Sequence, residues 1–121
     1  MPDTDDHLAQ ANHNAQFYHS FDRNSYSDWA ATVLFYTGLH YIDAFLATRH
    51  IDPGSHDVRD RLVSQFHELR RISNHYFALK SSSRTARYSP LARFPVQHLQ
   101  DLEQIHLERI KSGLRPHLPI R

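Results

Sequence analysis

The stretch DWAATVLFYTGLHYIDAFLA, residues 28–47, decides the fold. Ser27 in front of it is a good helix N-cap. Trp29, Val33, Tyr36, His40 and Ala47 fall on one helical face, Leu34, Tyr41 and Phe45 on a second, and Phe35, Leu39, Ile42 and Leu46 on a third. A helix that is apolar on every face is built to be surrounded by other helices. The reading is a buried helix over about 27–49, the centre of an all-α protein. Its length matches a membrane span of about 20 residues. His40, Asp43 and the polar flanks argue instead for a core helix, so no membrane is expected.

Working outward, Asp3 or Thr4 can cap a first helix over about 4–22, with acids in its first turn to suit the dipole. Its stripe is Leu8, Ala11, Ala15 and Tyr18. On the other side, Pro53-Gly54 breaks the chain and Ser55 caps a third helix over about 55–82. There Val58, Leu62, Gln65, Leu69, Ile72, Tyr76 and Leu79 alternate by four and three, a heptad-like seam. Lys80 to Phe94 reads as helix end plus loop. Pro95 opens a last helix over about 95–112, with Val96, Leu99, Leu102, Ile105 and Ile110 on its apolar side and Gly113 at its end. The tail from Pro116 reads as loose. With no strand signal, the economical packing is an antiparallel four- to five-helix bundle in a single domain, residues 1–121.

The 121 residues contain no cysteine, which excludes a disulfide framework and fits a reducing cytoplasm. The opening MPDTDDHLAQ is acidic and polar, unlike a signal peptide. Three scattered glycines exclude phosphate-cradling glycine loops. Net charge is only +1, yet Arg70, Arg71, Lys80, Arg84, Arg87 and Arg93 lie in a run without one acid. Eleven histidines include no HExxH and no pair four apart. No metal and no cofactor are therefore expected, although ligands assembled from different helices stay open.

Three groups could carry chemistry. His40 and Asp43 share one side of the core helix, and a buried carboxylate needs a partner, either His40 or an arginine from another helix. His56 and Arg59 share a face in the first turns of the third helix, where anions are favoured. Arg84, Arg87 and Tyr88 join cations to an aromatic ring, a combination that suits a phosphodiester and a stacked base.

The segments DWAATVLFYTGLHYIDAFLA, SHDVR and HYFALKSSSRTARY together resemble small bacterial proteins of the HEPN class, over about half the chain from Asp28 to Tyr88. That resemblance implies a HEPN-like bundle, commonly a homodimer. Many such proteins are metal-independent ribonucleases acting as toxins or defence effectors. Others are non-catalytic modules that bind a partner, such as an antitoxin or a nucleotidyltransferase, or a nucleotide. Their usual motif is Arg, then four to six residues, then His. Arg61/His67, Arg70/His75 and Arg93/His98 meet the spacing, but Leu62, Arg71 and Phe94 replace the polar residue that usually follows the arginine. On the ribonuclease reading, His40 and His56 are the acid/base candidates and Asp43 orients His40. Arg59, Arg84 and Arg87 hold the RNA phosphates, beside Tyr88.

Overall fold

The computed structural model describes residues 2–119, and those residues form helices and turns with no strand. At the centre is α2 (Ser27–Thr48). Ala30, Ala31, Leu34, Phe35, Ile42, Ala44, Phe45 and Leu46 are all fully buried. Each large apolar side chain withdrawn from water there contributes about 1.5–3 kcal/mol. By length and composition α2 would pass as a membrane span, but 72% of its most apolar window is covered by the chain's own helices. It packs chiefly against α1 (Thr4–Tyr18) and α5 (Ser73–Tyr88). One member of the expected core departs: Trp29 is 60% exposed and forms an open aromatic patch with Phe17, Phe21 and Tyr26.

α1 begins on a reciprocal cap. Asp3 Oδ1 accepts from the Asp6 amide at 2.8 Å, and Asp6 Oδ2 accepts from the Asp3 amide at 3.0 Å. The helix stops at Tyr18, four residues short of the expected end. Asp22 is why: its carboxylate accepts from the Asn24 amide and the Ser25 hydroxyl, folding a turn in place of another helical turn.

The expected third helix is three pieces: α3 (His56–Gln65), α4 (His67–Arg70) and α5. At Phe66 the backbone turns extended (φ −70°, ψ 130°) and the ring packs edge-on against Phe45. The seam is therefore not one straight line. Leu69, Ile72, Tyr76 and Leu79 are buried, Val58 and Leu62 are half-buried, and Gln65 is exposed. α5 also runs on to Tyr88, so Arg84, Arg87 and Tyr88 stand on a helix rather than in a loop.

The last rod is α6 (Val96–Asp101), a π-helical turn (Leu102–Leu107) and α7 (Glu108–Leu114). The wider π turn shifts the register of the apolar face. Leu102 and Leu107, five apart, are both buried, while Ile105 is exposed. Gly113 lies inside α7 rather than past its end, because a Cβ there would stand 2.6 Å from Ile72 Cγ2. Part of the expected loose tail is packed: His117 meets the Phe45 ring edge-on and Leu118 is buried. Ile120 and Arg121 lie outside the described residues.

Candidate functional site

α2, α3 and α5 meet around a chain of polar contacts. Ser55 sets where α3 starts, its hydroxyl accepting from the Val58 amide at 3.2 Å. That start places His56 at the first helical position and Arg59 almost one turn later, facing α2. There Asp43 receives Arg59 as a two-pronged fork, Nε to Oδ1 at 2.7 Å and Nη2 to Oδ2 at 3.0 Å. Both side chains are about 90% or more buried. Burial disfavours the Arg59 charge, but the Asp43 hydrogen bond and field more than offset this and hold the guanidinium charged. Asp43 was expected to need a partner, and the arginine of another helix provides it.

Arg59 spends its remaining nitrogen on the neighbour. Nη1 lies 3.2 Å from His56 Nδ1. A guanidinium only donates, so His56 Nδ1 is the acceptor and the N–H of this exposed residue sits on Nε2. Burial, then the positive fields of Arg59, Lys80 and Arg87, push His56 below the ordinary imidazole pKa, with Asp60 opposing. His56 is thus a neutral ring presenting an N–H donor beside cations.

From α5, Lys80 pairs with Asp60, and the Tyr76 hydroxyl donates to the same carboxylate at 2.8 Å. Burial and that carboxylate raise Tyr76 well above its ordinary pKa, so it stays protonated. A shallow groove between α3 and α5 is lined by Asp60, Phe77, Lys80, Ser81, Arg84 and Thr85. Further along α5, Arg87 donates to the Tyr36 hydroxyl at 3.3 Å and lies over the Tyr36 and Tyr88 rings. Tyr36 in turn faces the His56 ring, 6.4 Å between centroids. His56, Lys80, Arg84, Arg87, Tyr36 and Tyr88 therefore line one continuous face.

Two of the expected roles change. Asp43 does not orient His40: its hydrogen bonds go to Arg59, and His40 Nδ1 instead meets His7 Nδ1 at 3.1 Å. Arg59 is not available to hold a phosphate, because it is buried with three nitrogens engaged; it positions His56. His40 also opens elsewhere, onto a groove between α1 and α2 lined by Gln10, Asn14, Phe17, Trp29, Thr32, Val33 and Tyr36. Burial and His7 lower its pKa. His56 is not among the residues that line this groove. Tyr36, Lys80, Asp60 and Tyr76 were not singled out by the sequence reading. Tyr36 shared a helix face with His40, Lys80 stood in the basic run and Tyr76 in the apolar seam, while Asp60 had no signal of its own.

The chain matches no known family model, no curated protein and no solved structure.

Proposed function

We propose that this protein is a HEPN-like antiparallel bundle that binds single-stranded RNA along the face built by α2, α3 and α5. The observation that carries the reading is the Arg59–His56 contact, which leaves the His56 N–H on Nε2 of an exposed ring, with Arg84, Arg87 and the Tyr36 and Tyr88 rings on the same face. Arginines and N–H donors fix a phosphodiester backbone. Exposed rings stack bases with little regard to sequence, at about 1–3 kcal/mol per base. RNA, rather than any other single strand, comes from the resemblance in DWAATVLFYTGLHYIDAFLA and SHDVR.

Binding is favoured over cleavage by the same geometry. Metal-free cleavage needs a free basic nitrogen at the 2′-hydroxyl. The one lone pair of His56 is committed to Arg59, and His40 lies on a different groove. Fluorescence polarisation with a labelled single-stranded RNA in EDTA tests this. Wild type binds and leaves the RNA intact, and Arg84→Ala with Arg87→Ala releases it. RNA cut by wild type and spared by His56→Ala would establish the ribonuclease reading instead. No binding and no cleavage would end both.

The exposed patch of Phe17, Phe21, Tyr26 and Trp29 favours a second role, contact with a partner protein or a second copy of the chain. A monomeric mass in solution that Trp29→Ser leaves unchanged would remove the homodimer.

A further inference from the structure

His7 reaches across from α1 to His40 on α2, with the two Nδ1 atoms 3.1 Å apart. Two neutral imidazoles can share one N–H there. The same spacing is also that of two ligands on one ion. Bonds of 2.0–2.1 Å in a tetrahedral zinc site put neighbouring donors about 3.3 Å apart. Asp43 follows His40 by three residues on the same helix, and one donor atom from each of His7, His40 and Asp43 lies within 4.8 Å of the others. Among the described residues no second trio of such ligands comes together. His75 and His106 make an equally close pair, 3.0 Å between Nδ1 atoms, but without a third ligand.

The geometry points to a divalent transition-metal site, of zinc type, formed by His7, His40 and Asp43. Two imidazoles and a carboxylate suit Zn²⁺ and leave a fourth position for water. The Arg59 fork does not block it. A carboxylate offers about four lone pairs, and the fork uses two. Arg59 then does for Asp43 what outer partners do for metal ligands: it fixes the carboxylate's orientation. The α1–α2 groove, which reaches His40, is the way in. The ion ties α1 to the core helix, and its ligands are none of the side chains proposed to touch RNA, although Asp43 is joined to His56 through Arg59; the RNA test is run in EDTA.

Tag-free full-length protein, dialysed against ZnCl₂ and separately against CoCl₂, tests the site. Wild type should take up one tight equivalent of Zn²⁺ per chain, and its Co²⁺ form should show the intense visible bands of tetrahedral coordination. His7→Ala and His7→Gln should weaken uptake by roughly ten-fold or more and lose those bands, with helical circular dichroism unchanged. His75→Ala should bind as wild type does. The site is overturned if wild type holds no equivalent tighter than the His7 variants do. It is also overturned if His75→Ala, rather than His7→Ala, abolishes uptake.

Discussion

Replacing Asp43 by Asn keeps the shape of the side chain and removes its charge, leaving the Arg59 guanidinium buried without a counter-ion. The Asp43 and Arg59 side chains are only 6% and 10% exposed, so solvent cannot take over the missing role. Breaking a buried pair from one side costs about 3–5 kcal/mol. For a chain of this length, each kcal/mol lowers Tm by about 4 °C, so the midpoint should fall by roughly 12–20 °C. Removing both partners is a different matter. Asp43→Leu with Arg59→Met discards the desolvation cost of both charges and should be far more stable than Asp43→Asn, near wild type or above it. Urea denaturation of wild type, Asp43→Leu, Arg59→Met and the double variant completes the cycle. RNA binding separates fold from site: the double variant should regain stability but not affinity, since His56 has lost the Arg59 contact that fixes its tautomer. The reasoning is refuted if Asp43→Asn loses under about 1 kcal/mol, the range of a solvent-screened pair, or if the two single effects simply add.

Further outcomes are open to measurement. His56 and His75 have pKa values below their ordinary 6.5, His56 through burial and nearby cations and His75 through burial, His106 and Arg109. The unfolded chain therefore takes up protons first as pH falls. Stability should be level above about pH 7 and decline from about 6.5 downward, read as the urea midpoint at each pH; His56→Gln and His75→Gln should flatten the decline. RNA affinity should fall linearly with log salt, and Arg84→Ala and Arg87→Ala should each reduce the slope by about 0.7; titrations at several salt concentrations read this directly. Gly38 lets α5 and α7 close on α2, since a Cβ there would lie 3.0 Å from Leu79 Cδ1 and 3.4 Å from Ile110 Cδ1. Gly38→Val should cost about 1–3 kcal/mol by overpacking, checked by chemical denaturation.

What the sequence by itself determined was local and periodic. Apolar residues on every face of 28–47 specify a buried helix, and Phe35, Ile42, Phe45 and Leu46 are fully buried as that pattern demands. The same reasoning requires a partner for Asp43, because an unpaired buried carboxylate is too costly to keep. Which partner was a matter of tertiary structure. Phe66 turns inward onto Phe45, breaks the expected long helix, and so aims α3 to bring Arg59 against Asp43. Periodicity marks that break only by Gln65, the one polar member of a four-and-three seam that otherwise runs on, and says nothing of the turn at Phe66. Nor does any spacing announce His7, thirty-three residues from His40 and in contact only because α1 packs on α2. The sequence settled most of what is buried, with Trp29 and Ile105 among the departures. The packing of α1, α3 and α5 around α2 decided which polar groups meet, because that depends on the relative placement of helices and not on the pattern within any one of them.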